Sequence, residues 1–212
     1  MIEPVHILNL IEADPVSLAA LAISSVLEEQ LQGVAVRSHP GKLDIYDVVS
    51  RDLVKSPGIA LGWTQIRAMR QTAGHYCLPV EFAAYVVVED LADRQRGRRF
   101  PRERVAHAIG TRLLAILNDP DLADWGLANI GLPESDPAPV FRPMFTATAY
   151  QKGTAYYAVT WTQELVGLGP DFLAGATPAF TVPDEERGPG LKFPDDAGIP
   201  PEIAAMIEED RS

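Results

Sequence analysis

One stretch of the sequence constrains the fold more than any other, the segment LPVEFAAYVVVED at residues 78–90. Apolar side chains occupy every second position of it: Val80, Phe82, Ala84, Val86 and Val88. Glu81 and Glu89 fall on the alternate positions. Because successive side chains of a β-strand point to opposite faces, this pattern predicts a long strand with one buried face. The fold must therefore contain a sheet and other elements that cover that face.

Two helices are predicted as the cover. Asp14 can cap the free N–H groups of a helix, and Pro15 is tolerated in its first turn, so a helix is expected from about 15 to 32. Gly33 follows where a left-handed C-terminal cap is favoured. The second helix is expected from about 101 to 118. Apolar residues recur at helical spacing along both segments, namely Ala20, Ile23, Leu27 and Leu31 in the first and Val105, Ile109, Leu113, Ile116 and Leu117 in the second.

The rest of the first 169 residues favours extended structure. VAVRSHPG at 34–41 predicts a short strand and a turn, residues 42–58 a connection with two helical turns, and residues 59–70 an extended segment. A strand is expected at 125–132. Two strands flanking Gln151-Lys152-Gly153 predict an antiparallel hairpin, with Tyr157, Val159 and Trp161 on one face. These elements predict an α+β fold, a mainly antiparallel sheet with two helices packed on one face.

The composition changes after Gly169, and we predict a domain at 1–169 followed by an extension at 170–212. The extension holds seven prolines and four glycines, with ten acidic residues against three basic ones. A segment of this composition cannot form its own core, so it is either disordered or ordered on a neighbouring protein. One short segment near its end, PPEIAAMIEED, could form a helix with a small apolar interface patch: Ile203, Met206 and Ile207.

The N-terminus predicts neither a secretory signal nor a membrane span. Glu3 stands where a signal peptide has basic residues, and Asn9 and Glu12 interrupt the apolar run. The longest uncharged apolar-rich run, 15–27, is shorter than the roughly 20 apolar residues that a bilayer requires.

A run of arginines at residues 93–104, DRQRGRRFPRER, stands out against the net charge of −11. Two acidic residues accompany the arginines, so the run carries +4 and the other 200 residues carry −15. A solvated surface loop of about ten residues would explain such a run. The other explanation is an anionic partner: nucleic acid, an acidic protein surface or a second copy of the chain. The residues concerned are Arg94, Arg96, Arg98, Arg99, Arg102 and Arg104.

The predicted position of this run favours the partner. The arginines fall at the N-terminus of the second predicted helix, where the helix dipole disfavours cations. Helix stability therefore does not account for them. The acidic charge elsewhere argues against general affinity for nucleic acid.

Motifs that would indicate chemistry are missing from the sequence. The four histidines have no short metal-ligand spacing among themselves or with Cys77, and no nucleophile elbow or phosphate-binding loop occurs. A lone cysteine is most often a small buried residue. We therefore expect no catalytic residue, no metal and no cofactor.

The order of elements resembles a known family. The segments PVSLAALAISSVLEEQLQG with VAVRSHPG, VEFAAYVVVEDLADRQRGRRFPRERVAHAIGTRLLAIL and AYYAVTWTQEL are together similar to the tail terminator, or tail completion, proteins of tailed bacteriophages, particularly the Mu-like group. The resemblance covers about residues 15–166. It is carried by the arrangement of elements, without an invariant motif. The long acidic, proline-rich extension departs from a minimal terminator.

The resemblance implies a structural, non-catalytic virion protein in the neck or tail, assembled in the host cytoplasm. Such a subunit forms a six-membered ring on the last ring of the tail tube, stops tube polymerisation and offers a surface to the head connector. DNA passes through the ring without tight binding. The alternative from the residues is a nucleic-acid-handling or hydrolytic enzyme that binds phosphate through the Arg94 to Arg104 segment. A third possibility is that the protein is an adaptor of unspecified role.

Overall fold

The computed structural model describes residues 4–39, 41, 54–72, 75–144 and 153–168. These residues belong to one compact unit, Met1–Pro178; the residues of the second unit, Ala179–Ser212, are not among those described. The predicted division at residue 169 stays a prediction. The apolar patch of Ile203, Met206 and Ile207 lies outside the described residues, as does most of the predicted connection at 42–58.

The described chain forms an α+β fold, as predicted. Its helices are α1 (Ile7–Glu12), α2 (Pro15–Gln30), α3 (Arg102–Leu117) and the short α4 (Pro120–Ala123). Its strands are β1 (Ala35–Ser38), β2 (Gly58–Ile66), β3 (Arg70–Thr72), β4 (His75–Val88), β5 (Leu91–Asp93), β6 (Arg98–Phe100), β7 (Val140–Met144) and β8 (Ala155–Leu168).

The main sheet has the order β1-β2-β4-β8-β7, and β3 pairs with β4. Strands β1 and β2 are parallel, and the other pairs are antiparallel. The two longest strands, β4 and β8, lie side by side at the centre, from Val88 opposite Ala155 to Tyr76 opposite Leu168. The predicted pairing of the two segments around Gly153 is confirmed as β7 with β8, although the residues of its tip, 145–152, lie outside the described residues.

Both predicted helices pack on one face of this sheet. Helix α2 lies against β1 and β2, and α3 lies against β4, β8 and β7. The predicted face of β4 is fully buried beneath them, and Tyr157, Val159 and Trp161 of β8 share the same core. The stripe predicted for α3 is confirmed. In α2 the buried position is Ala19, and Ala20 is only half-buried, because α2 meets the sheet one residue earlier than the spacing indicated.

The ends of α2 follow from local chemistry. Asp14 accepts a hydrogen bond from the backbone N–H of Val16 at 3.0 Å, and Pro15 begins the helix as predicted. Leu31 ends it, and Gly33 has the expected positive φ of 84°. Helix α1, which the sequence analysis did not predict, precedes this cap and has no buried residue.

The alternate face of β4 differs from the prediction. Ala83, Tyr85 and Val87 are buried there together with Ala60 of β2 and Ala158 of β8. Glu81 is half-buried and Glu89 exposed. The centre of the sheet is therefore buried on both faces, because small and aromatic residues follow Glu81 where an exposed strand would continue with polar ones.

The strand predicted at 125–132 is wrong. Trp125 and Gly126 both have positive φ, and only Ile130 forms a single bridge, to Leu165 of β8. A chain with two successive left-handed residues cannot extend as a strand.

Residues Ile7–Gln30 meet the criteria of length and composition for a membrane-crossing helix, with a mean hydropathy of 1.6 over an 18-residue window that is 28% buried. The segment comprises α1 and α2, and α2 buries Val16, Ala19, Ile23 and Leu27 in the core described above.

Gly110 of α3 provides a test of the packing between α3 and the edge strand β7. A Cβ atom there would lie 2.5 Å from the ring of Phe141, which stacks on Tyr157 at 5.3 Å and meets His107 edge-on. Gly110→Ala should therefore destabilise the protein by roughly 1–3 kcal/mol, because overpacking outweighs the gain of about 1 kcal/mol in helix propensity. Urea denaturation measures this, and adding Phe141→Leu should recover part of the loss. A more stable Gly110→Ala protein would contradict the packing.

Candidate functional site

The arginine run forms a β-hairpin, which corrects the predicted irregular loop. Strands β5 and β6 pair with Leu91 opposite Phe100 and Asp93 opposite Arg98. The Asp93 carboxylate accepts hydrogen bonds from the backbone N–H groups of Gln95 (3.1 Å) and Arg96 (3.2 Å), and Gly97 has a φ of 61°. An Asp at the start of a turn and a Gly at its left-handed position are the residues that such a turn requires. The spacing of Asp93 and Gly97 in the sequence is therefore the local signal for this hairpin.

The base of the hairpin is fastened to the start of α3 by Asp90. Its carboxylate accepts hydrogen bonds from the backbone N–H of Arg102 (3.0 Å) and the guanidinium of Arg99 (2.8 Å). The hydrogen bond from the Arg102 N–H holds the pKa of Asp90 below its usual range. Desolvation opposes this effect, and the charge and hydrogen bond of Arg99 lower the pKa further. A lowered carboxyl pKa in the folded state stabilises the fold above the usual Asp range, and the effect disappears as the pH falls through the lowered value. The hairpin base is thus anchored at neutral pH.

Asp90 also offsets the unfavourable interaction that the sequence predicted between the arginines and the dipole of the second helix. Helix α3 begins after Pro101, which offers no side-chain cap, and Glu103 lies in its first turn. The carboxylates of Asp90 and Glu103 therefore supply the negative charge that the N-terminus of α3 favours. Arg98 and Arg99 belong to strand β6 and lie outside the helix.

The six predicted interface arginines divide into two groups. Arg102 is mostly buried and contacts Glu103 at 3.3 Å, and Arg104 lies over the ring of Phe100 at 5.4 Å. Arg99 pairs with Asp90, yet its side chain is 76% exposed. The remaining three are exposed and form no ion pair with any residue in the described part of the chain: Arg94, Arg96 and Arg98.

We define the arginine hairpin as residues 91–100, with Arg94, Arg96, Arg98 and Arg99 as its exposed cations. It is a separate two-stranded sheet that begins three residues after β4 ends. Because the hairpin is ordered by its own pairing and by Asp90, its cations are presented on a defined scaffold. Such a surface can bind a carboxylate-rich or phosphate-rich partner.

Other candidate sites offer fewer polar groups that are free to bind a ligand. A groove of about 400 Å³ lies between the start of α2 and β2, beside Leu21, His39, Trp63 and Ile66. His39 hydrogen-bonds through Nδ1 to the carbonyl of Gly41 at 2.8 Å, and Asp14 caps α2, so these polar groups are already used. Among the residues that the structure describes, no three His, Cys, Asp or Glu side chains are grouped to hold a metal ion. Cys77 is buried.

One exposed surface was missed by the sequence analysis. Helix α1 and the start of α2 expose five large apolar side chains by more than half: Ile7, Leu8, Leu10, Ile11 and Leu21. The apolar content of HILNLIEAD would have indicated it, had the segment been considered as a helix with no partner. Exposed apolar groups at this density are typical of an interaction surface.

The sequence matches no protein-family model and no curated protein.

Proposed function

We propose that this protein is a structural ring subunit of a phage-like particle, resembling a tail terminator that caps the tail tube and joins it to the head connector. The observation that carries the proposal is the arginine hairpin, an ordered and exposed group of cations on a chain whose remaining residues are strongly acidic. In this proposal the hairpin contacts the acidic surface of a neighbouring subunit or ring. The protein acts in the virion and is assembled in the host cytoplasm.

The weak free energy of a single exposed ion pair is compatible with a ring, in which the same contact occurs at every interface. An exposed pair of arginine and carboxylate contributes only about 0.2–1 kcal/mol. In a head-to-tail ring every subunit makes the same contact with the next, so weak pairs are repeated around the ring until it closes. Specificity comes from the defined geometry of the hairpin, because guanidinium groups held on a scaffold lose less freedom when they bind.

The exposed cations also support a second candidate, a protein that binds the phosphates of nucleic acid. Four phosphate contacts would give a salt dependence of affinity with a slope of roughly −3.5. The acidic charge of the rest of the chain opposes the approach of DNA. A conduit must also let the genome slide, and tight phosphate contacts would hold it. We therefore favour the protein partner.

Reversing the hairpin charge separates the two candidates. The variant R94E/R96E/R98E leaves Arg99 and its pair with Asp90 intact. It should keep its fold, because the three changed side chains are exposed and form no ion pair within the described residues, and it should lose ring assembly or docking. The control R94K/R96K/R98K keeps the charge and should assemble. Sedimentation velocity and electron microscopy of the purified protein measure assembly, and fluorescence anisotropy measures DNA binding at low and moderate salt. Unchanged assembly together with loss of a tight, salt-sensitive DNA affinity would favour the nucleic-acid candidate.

A further inference from the structure

The two ends of the central strands carry different surfaces. The arginine hairpin follows Val88, at the end of β4 where Gly58 and Ala155 also lie. The opposite end of β4 pairs with the end of β8 at Leu168. The 14 residues of β4 span 13 steps of about 3.3 Å, so the strand separates these two ends by roughly 43 Å. We call them the hairpin end and the far end.

The exposed apolar surface lies toward the far end. The N-terminus of α2, with Asp14 and Val16, borders the same groove as Trp63 and Ile66. Ile66 is opposite Val80, in the far half of β4. Helix α1 leads directly into this N-terminus, so its four exposed leucine and isoleucine side chains belong to this part of the molecule. Their exposure, between 52% and 63%, is unusual for large apolar residues of a folded unit.

The far end is also acidic. Helix α4 and the loop after it lie against this half of β8, because Gln163 bonds the carbonyls of Ala123 and Gly131. The carboxylates carried there by α1, the start of α2, α4 and the adjoining segments are Glu12, Asp14, Asp119, Asp121, Asp124, Glu134 and Glu164. Arg67 and Arg70 lie nearby and both contact Glu134, and Arg70 also pairs with Glu164.

The hairpin end complements this surface. The arginine hairpin has four exposed cations against the single carboxylate of Asp93, and it exposes an apolar side chain, Leu91, by 41%. Glu28 and Glu29, in the last turn of α2, lie at the same end of the domain, as does Lys55 just before β2, so the positive charge of this end is concentrated in the hairpin. A cationic hairpin with an apolar base matches an acidic surface with exposed leucines and isoleucines.

We infer that the far end of one copy, through α1 and its neighbouring carboxylates, receives the arginine hairpin of a second copy in a head-to-tail contact. This inference rests on the proposed ring function, since it names the partner surface for the same hairpin. A symmetric hairpin-to-hairpin contact would place arginines against arginines, and a far-end pair would place carboxylates against carboxylates. The head-to-tail arrangement alone brings opposite charges together and covers α1.

Two charge-reversed variants of the full chain test this contact. R96E/R98E changes the hairpin, and E12R/D121R changes the far end at two exposed carboxylates that cap no helix. Each variant alone places like charges at two positions of the contact and removes most of the attraction between the two ends, so its self-association should weaken by at least about tenfold, equivalent to 1.4 kcal/mol. An equimolar mixture restores opposite charges at those positions and should recover assembly. The control E28R/E29R makes the same change at two carboxylates of the hairpin end, where added positive charge still matches the acidic far end, and should not weaken assembly.

A third variant tests the apolar part. L8S/I11S changes two exposed side chains without altering charge, so the fold should remain, as measured by circular dichroism, while association weakens at all salt concentrations. Sedimentation equilibrium at low and high salt measures the association in each case. An association constant unchanged in L8S/I11S would overturn the role of α1.

The outcomes separate this inference from the proposed function. If both charge variants still form closed rings, the inferred contact is wrong, and the proposed ring function is unaffected. Monomeric single variants whose mixture forms open filaments would support the inference and count against the ring. A mixture that stays monomeric, or a parent chain that remains monomeric at its highest soluble concentration in low salt, would overturn the inference.

Discussion

Replacing Gln163 with leucine should be among the most destabilising single substitutions in this protein. The Gln163 side chain is fully buried, and its Oε1 accepts hydrogen bonds from the indole N–H groups of Trp125 and Trp161, each at 2.8 Å. Its Nε2 donates to the carbonyls of Ala123 and Gly131, each at 2.8 Å. One amide therefore satisfies three buried polar groups and one partly buried carbonyl, and it fastens the segment from α4 to Gly131 onto β8.

Gln163→Leu leaves those four groups without their partner. An unsatisfied buried donor or acceptor costs about 1–3 kcal/mol, and partial relaxation and water entry reduce the sum, so we expect a loss of roughly 3–5 kcal/mol. Urea denaturation followed by circular dichroism measures the loss, and the emission of the two tryptophans should shift to longer wavelength as water reaches them. The same change at an exposed strand position, Gln65→Leu, should be nearly neutral. A Gln163→Leu protein as stable as its parent would contradict the buried network.

Replacing Phe82 with alanine should have a comparable effect for a different reason. Phe82 is fully buried at the centre of β4, and its ring stacks on that of Trp161, the residue opposite it on β8, at 5.7 Å. Removing the ring loses its transfer free energy and leaves a cavity beneath the helices. Such changes cost on the order of 3–5 kcal/mol, a large part of the stability of a typical domain.

The neighbouring residue provides the control for Phe82→Ala. Glu81 lies on the alternate face, is half-buried, and accepts a hydrogen bond from the hydroxyl of Thr64 at 2.6 Å. Glu81→Ala should cost about 1 kcal/mol, the usual contribution of such a bond. Thermal denaturation of both variants compares the two faces of β4. Equal losses at the two positions would mean that the apolar alternation does not define the helix-covered core.

Local patterns predicted the elements whose formation depends on near neighbours. The alternation from Val80 to Val88 identified the helix-covered face of β4, and the Asp14-Pro15 pair identified the start of α2. The same approach placed α3 to within a residue. These signals succeed because strand and helix periods, caps and turn residues act over only a few positions.

Contacts between distant residues were not predictable in this way. The partners of Gln163 lie up to 40 residues away in sequence, and no local pattern identifies them. The buried alternate face of β4 depends on residues from three strands. Exposure of α1 depends on the absence of a packing partner among the described residues, a property of the whole fold and not of the helix itself.

The arginine hairpin shows the same division. Sequence alone determined that the positive charge is concentrated between Arg94 and Arg104 in an acidic chain, because charge counting needs no coordinates. Tertiary structure decided which of these charges are available. Asp90, Glu103 and the ring of Phe100 engage Arg99, Arg102 and Arg104, while the turn directs Arg94 and Arg96 to solvent. Folding also decided that the start of α2 and the acidic segments around Gln163 lie toward the end of the sheet away from the hairpin, since the antiparallel register of β4 with β2 and β8, and not the order of residues, sets these positions.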